Sequence, residues 1–389
     1  MANIWEHPSI IATEALMHLE DALIIGPLCA KDLTSDFTTR SNGWKVGDAV
    51  SYRTHGEYEV DEFSEGGTIS TQAISSSVRS LSIEKHYDIS VEVSAREATL
   101  DLDSFSEQVL RPATYKLAEK VDTYLGTKLL QGAGLYVSSG LYETAADIAL
   151  ARKAAILQQL SLNRYSLVDI DLEATLLGQT WFNQSQTRGG DGERTLRNAE
   201  MGRVMGMEWF SSIAFPTETH ECGTMVCATN NDSGAKNLIG DETLVVDTQT
   251  ASRVLKAGDR LKIAGVRRPL KVKTGEADTS AVTEIALVDP ITEIIPDNAA
   301  VTVVGHGETV GHHGVIMDDR SIGVAFPMLD IPEDRVAATA ANNGVSIRIV
   351  KGYDLSSKKT TMSMDLLVGA FAIDPRRITL VAETGATGS

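Results

Sequence analysis

The chain is short of several things, and each shortage excludes something. Only three cysteines occur in 389 residues, Cys29, Cys222 and Cys227. They are too few and too irregularly spaced for a disulfide framework, so a reducing compartment fits best. Positive charge is also scarce: 35 Lys and Arg stand against 53 Asp and Glu, a formal net charge of −18. Such a surface repels polyanions and argues against sequence-reading contacts with nucleic acid. No apolar run reaches transmembrane length. The first thirty residues lack both a basic lead and a clean apolar stretch before a cleavage site, so no signal peptide is expected, no membrane is implied, and a cytoplasmic protein is.

Catalytic motifs are missing as well. No Gly-rich loop ends in Gly-Lys-Ser/Thr, and no aromatic-basic platform for single strands is present. The best metal candidate is the stretch "HGETVGHHG", with His306, Glu308, His312 and His313. Its glycines and its lack of a fixed helical or strand spacing read as a loop of turn residues with solvated histidines rather than a zinc site. "VTVVGHG" starts like a dinucleotide fingerprint, but Val310 stands where the third glycine is needed and no helix follows. His220, Cys222 and Cys227 sit in a stretch that alternates like a buried strand, without paired Cys-x-x-Cys loops. Ser356 and Lys359 have the spacing of a serine nucleophile and its base but lie in ordinary turn composition. No catalytic residue, cofactor site or metal site is assigned, and no enzyme is expected.

What is present is a long folded chain. With 42% apolar residues it has enough material for two or three cores. Ile11, Ala15, Leu19 and Ala22 recur at helical spacing until Gly26-Pro27, a stripe that needs either this chain's own core or a neighbour's surface. Leu81, Ile83, Lys85, Tyr87, Ile89, Val91 and Val93 alternate with polar residues, which predicts one long strand with one wet face. Its expected partner is the strand after Trp44, and the pair would form a hairpin with an acidic, then Gly- and Ser-rich tip. A long helix follows, with Leu110, Leu117, Val121, Leu125 and Leu129 on one face, a capping cluster at Asp101, Asp103 and Ser104, and Pro112 near its start. Thr144 and Asp147 announce a second helix. "YSLVDIDLEATLLG" reads as strand then helix, "TRGGDGER" as a mobile loop and "MGRVMGMEWFSS" as a turn into a strand. Between 241 and 305 helical patterning disappears, and short strands recur at barrel-like intervals. This module opens with "VLKAGDRLKIAGV", whose Lys-x-Gly-Asp turn also appears in "WKVGDAVSYR". Mixed patterning then resumes, so the β module is an insertion in an α+β chain.

In this order the elements resemble the major capsid protein of tailed bacteriophages, with the Hong Kong 97-type (HK97-like) fold. They resemble more closely the coat proteins of enterobacterial short-tailed phages that carry an inserted β-barrel. The residues that carry the likeness are "VLRPATYKLAEKVDTYL", similar to the spine helix, and "RNAEMGRVMGMEWFSS", similar to the Gly-x-x-x-Gly-aromatic turn of the axial domain. "DLLVGAFAIDPRRITLV" resembles the closing peripheral strands, and "LKAGDRLKIAGV" the first strands of the inserted domain. The resemblance implies an N-terminal arm at 1–40, an extended hairpin at 41–80, and a peripheral domain with the spine helix at 81–140. It further implies an axial domain at 141–240 and 306–350, the inserted barrel at 241–305 and peripheral closing strands at 351–389.

The resemblance also implies self-assembly into pentamers and hexamers of an icosahedral shell around packaged double-stranded DNA, in a virion put together in a host cytoplasm. A portal protein would be a partner. A separate scaffolding protein is expected, because only about 40 residues precede the hairpin, too few for a helical scaffold. The acidic hairpin residues Glu57, Glu59, Asp61, Glu62 and Glu65 would seek basic partners on a neighbouring subunit, and the arm would clasp another neighbour. No lysine occurs between Lys45 and Lys85, so the lysine–asparagine weld of some shells of this fold is not expected. A nanocompartment shell of the same fold is the nearest alternative; a β-rich enzyme with a metal in the histidine stretch is a more distant one.

Overall fold

In the computed structural model the described residues are 8–32, 34, 40–41, 44–45, 49–53, 78–94, 106–138, 144–157, 160–183, 190–216, 218–231, 236–247, 253–275, 277–278, 282–304, 309–332, 336–354 and 359–384. The chain divides into two units. One holds residues 1–129, 213–215 and 319–374; the other holds 130–212, 216–318 and 375–389. No helix among the described residues is long and apolar enough to cross a membrane.

The first unit is built on a sheet whose strands run Ile322–Ala325, Lys359–Ala372, Val345–Asp354 and Val336–Asn342, with Lys85–Ser94 also paired to Lys359–Ala372. Helix α1 (Pro8–Ala22) lies on the strands Val336–Asn342 and Val345–Asp354. Its stripe of Ile11, Ala12, Ala15, Leu16 and Leu19 is buried, so of the two surfaces open to it the helix uses the chain's own sheet. The long helix α2 (Arg111–Gly132) continues directly from a π-helical turn, Ser106–Leu110, and Pro112 stands just past that junction. Leu110, Leu117, Val121, Leu125 and Leu129, the predicted face, are all buried.

The predicted single strand from 81 to 93 is in fact two. Val78–Ser82 pairs antiparallel with Ala49–Arg53, whereas Lys85–Ser94 leaves that partner and runs against Lys359–Val368. Alternation reports which face is wet, and Glu84, His86, Asp88, Ser90 and Glu92 are indeed exposed; it carries no information about the partner. The crossing needs Gly369, where an added Cβ would stand 2.3 Å from the Ser82 carbonyl oxygen.

The second unit has a mixed sheet with the strand order Leu135–Ser138, Thr379–Thr384, Thr309–Asp318, Arg164–Val168, Met207–Ser211, Arg203–Val204. Helices α3 (Ala145–Leu157) and α4 (Ile170–Gly178) supply Ile148, Ala151, Ala155, Leu172 and Leu176 to a core shared with Trp209, Met207 and Phe182. Thr144 and Asp147 form the expected reciprocal cap: the Asp147 N–H donates to Thr144 Oγ1 at 3.3 Å, and the Thr144 N–H to the Asp147 carboxylate at 3.4 Å. Asp169 caps α4, accepting from the Leu172 N–H at 2.8 Å.

Two local expectations change here. "TRGGDGER" is not a loop throughout, because Gly190–Asn198 is helical, with a Glu193–Arg197 ion pair one turn apart. Thr309–Asp318 is a ten-residue strand, so "VGHHG" is extended backbone in a sheet, with a register shift between His312 and Gly314 absorbing the irregularity. The chain changes unit at 129/130, 212/213, 215/216, 318/319 and 374/375. Thr379–Thr384 accordingly belongs to the second unit's sheet.

The β module closes on itself. Its sheet runs Leu270–Lys271, Arg260–Ile263, Ala300–Val303, Val226–Thr229, Thr243–Asp247, Val282–Ala286. A bridge between Val272 and Leu287 then joins the two outer strands, with the Lys273 N–H donating to the Ala286 carbonyl at 2.8 Å and the Val288 N–H to that of Lys271 at 2.9 Å. The interior holds Leu244, Val246, Leu261, Ile263, Ile285 and Val301, each at most 1% exposed. The sheet takes in Val226–Thr229, ahead of the residue 241 at which the sequence pattern changes.

Candidate functional site

The acidic residues singled out from the sequence, Glu57, Glu59, Asp61, Glu62 and Glu65, lie outside the described residues, as do His306, Glu308 and Ser356. The base of the hairpin that leads to the acidic run is in place, with Val50 opposite Leu81 and the Tyr52 ring edge-on to Phe371 at 6.1 Å. His312 and His313 sit on the strand Thr309–Asp318. Lys359 forms an exposed ion pair with Glu92 at 2.7 Å.

Sequence reasoning set His220 beside Cys222 and Cys227; the structure sets it beside Cys222 and Asp259, with ligand atoms all within 4.8 Å of one another. Asp259 is the last residue of the Lys-x-Gly-Asp turn. Its carboxylate accepts from the backbone N–H of Lys256 at 2.7 Å and of Gly223 at 3.2 Å, and meets His220 Nε2 at 2.8 Å. At 1% exposure this carboxylate is solvated by the protein in place of water. Gly223 is required, because a Cβ there would stand 2.2 Å from the Val254 carbonyl oxygen. The donor set (imidazole, thiol, carboxylate) is one zinc accepts, but the carboxylate is already committed to backbone N–H groups. The cluster therefore reads as the keystone that pins the turn to the incoming strand. Cys222 and Cys227 belong to the barrel core.

The first unit carries its own charged cluster. Asp88 faces Asp365 across the ladder, a like-charge pair that destabilises unless offset. Arg348 offsets it, with both Nε and Nη2 donating to the Asp365 carboxylate and Nη1 donating to the Asp330 carbonyl at 2.7 Å. His86 Nε2 adds a contact to Asp365 at 3.1 Å. Those bonds raise the Arg348 pKa above its ordinary value.

On the buried side, Asp122 of α2, 2% exposed, accepts the N–H groups of Ile24, Ile25 and Gly26 at 2.8, 3.2 and 3.3 Å. It ties the turn after α1 to the long helix. Burial pushes its pKa up to about 6, outweighing the three N–H bonds that favour the anion. Tyr124 donates to Glu84 at 3.2 Å and accepts the Ala370 N–H at 3.3 Å, and burial raises its pKa too.

None of these clusters combines a nucleophile, a base and a place for a reacting atom. Of the outer strands of the first unit's sheet, Lys85–Ser94 and Val336–Asn342 have one neighbour each among the described residues, whereas Ile322–Ala325 is also bridged to Ala30. In the second unit, Leu150 and Leu157, seven residues apart on one face of α3, are 54% and 58% exposed.

No protein-family model matches the chain, and no curated protein does. Among solved structures, a chain from Mycobacterium phage Che8 is 12% identical with a TM-score of 0.50, over 92% of this chain and 90% of that one. A chain described as "Capsid of native GTA particle computed with C5 symmetry" is 9% identical with a TM-score of 0.47, over 87% and 86% of the two chains. One described as "Capsid structure of the Cyanophage P-SCSP1u" is 12% identical with a TM-score of 0.45, over 88% and 85%. At such identities the likeness concerns architecture, and over nearly its whole length this chain has the α+β, Hong Kong 97-type fold of phage capsids, with a β-barrel inserted in it.

Proposed function

We propose that the protein is a structural shell subunit, a major capsid protein whose copies assemble as pentamers and hexamers into an icosahedral particle around double-stranded DNA. The observation that carries this reading is the agreement in fold along 92% of the chain, where agreement of one domain alone would say little about function. Closed symmetry lets many weak, identical contacts sum to a stable particle, and the open sheet edges and the exposed face of α3 suit such contacts. The excess of acidic charge leaves an enclosed genome mobile rather than bound to the wall. The kinship with short-tailed enterobacterial phages rests on the quoted motifs and the inserted barrel.

In this reading Glu57, Glu59, Asp61, Glu62 and Glu65 meet basic groups on a neighbouring subunit. A separate scaffolding protein guides closure, a portal protein occupies one vertex, and assembly takes place in the host cytoplasm. The test is negative-stain microscopy with sedimentation velocity on the protein expressed with and without a candidate scaffolding partner. Closed shells, or capsomers that close when the partner is added, support the proposal; a compact monomer under every condition sinks it. Shells that package protein cargo in place of nucleic acid would shift the reading to a nanocompartment.

A further inference from the structure

Two arginines of the second unit have no ion pair of their own among the described residues. Arg164 opens the strand Arg164–Val168 and is 8% exposed; Arg152 lies on α3, with its guanidinium against the turn at Gly206, where a Cβ would stand 3.6 Å from Nη2. The Nε of each is buried without a hydrogen-bond partner, and neither guanidinium forms an ion pair among the described residues. The carboxylate opposite Arg164 in the ladder is Asp318, and it is already engaged: Arg377 Nη1 donates to it at 2.5 Å and the Ser161 N–H at 3.3 Å. Burial, then the Arg152 charge, lower the Arg164 pKa, against a smaller opposing pull from Asp318. Arg377 and Arg164 thus share one carboxylate, and the Arg152 charge acts on Arg164 beside them, in a chain whose formal net charge is −18.

A buried, unpaired charge is costly, and native proteins rarely keep one without a ligand for it. Paired guanidiniums present forked donors that match the two oxygens of a carboxylate. We infer that Arg152 and Arg164 form a binding site for a carboxylate carried by a second copy of this chain. The partner follows from composition: 53 acidic against 35 basic residues leave every copy with surplus carboxylates, and this site is a surplus of the opposite sign. The inference rests on the shell reading only for the identity of the partner; the carboxylate chemistry stands without it.

The test uses the full-length chain and a labelled synthetic peptide of residues 57 to 65, the densest acidic run in the sequence. Peptide binding is followed by fluorescence anisotropy and chain–chain association by sedimentation velocity. Arg152→Gln is the primary variant because Arg152 is only partly buried, with near-UV circular dichroism as the check on folding; Arg164→Gln is the second. Expected is a loss of peptide affinity of about tenfold, the size of one charge-assisted contact, together with weaker association. Unchanged peptide affinity in both folded variants overturns the site. Lost peptide affinity with unchanged association overturns the second copy as partner. An oligonucleotide binding through the same arginines better than the peptide would assign the site to phosphate instead. A wild-type chain that never associates yet binds the peptide through Arg152 would sink the shell reading and leave the carboxylate site standing.

Discussion

Two β structures in this chain end differently. The barrel joins its first and last strands through Val272 and Leu287, so every strand of its sheet has two neighbours and the interior is apolar. Among the described residues, the five-stranded sheet of the first unit ends at Lys85–Ser94 and Ile322–Ala325 on one side and at Val336–Asn342 on the other. Closure abolishes edges, whereas an open edge is a template for another chain. The two open edges also differ: Lys85–Ser94 carries Lys85, Asp88 and Glu92, but Val336–Asn342 reads VAATAAN, with no charge and no proline. Among the described residues the barrel thus closes its hydrogen-bonded ladder, and the open sheet does not.

Four experiments would break or sharpen that contrast, taken from the largest expected effect on stability to the smallest. Leu261→Ala, in the barrel interior at 0% exposure, should cost about 2–5 kcal/mol by urea unfolding; a much smaller loss would mean that the barrel is not a tight core. Asp259→Asn places an amide among N–H donors and should cost about 2 kcal/mol, loosening the turn without emptying the core; unchanged stability would remove Asp259 as keystone.

The third concerns Asp122, whose pKa is raised to about 6. Because the folded state binds this proton more tightly than the unfolded state, the group's contribution is fully present below pH 4 and is lost as pH rises through 6. Acidification from pH 7 to 5 should therefore gain about 1 kcal/mol from this group, a slope that Asp122→Asn should flatten. Equal slopes in both proteins would refute the assignment. Last, Ala341→Lys on the uncharged edge should change folding stability by less than about 0.5 kcal/mol and yet slow association markedly, as edge lysines do. Normal association rates by light scattering would show that this edge stays unused.

How much of this was legible in the sequence depends on the kind of information. Periodicity announced α1, α2 and the wet face of residues 84 to 92, because burial on one side of a single element is a local property. The Thr144–Asp147 cap was legible for the same reason. Partner choice was not: the alternation from Leu81 to Val93 is continuous, and nothing local marks the exchange of partners at residues 83 and 84. Val226–Thr229 looked like a buried strand, but not like a barrel strand, since Val301 and Val246 lie far off in sequence. Asp259 was visible as part of a turn signature, yet its meeting with His220, 39 residues away, requires the fold. The pairing of Arg152 with Arg164 has no sequence signal at all.

The stem below the barrel has a further consequence. The chain enters along Glu218–Glu221, laddered to residues 309–312, and then along Val226–Thr229, laddered to Ala300–Val303. Outgoing and returning strands thus lie side by side for their whole length. Besides these strands, the segment from 229 to 300 is held by Arg260 Nη2, donating to the Ala133 carbonyl at 3.4 Å, and Lys271 Nζ, donating to that of Gln131. A domain grafted in or pruned away there would have to replace those two side-chain ties as well as keep the strand register.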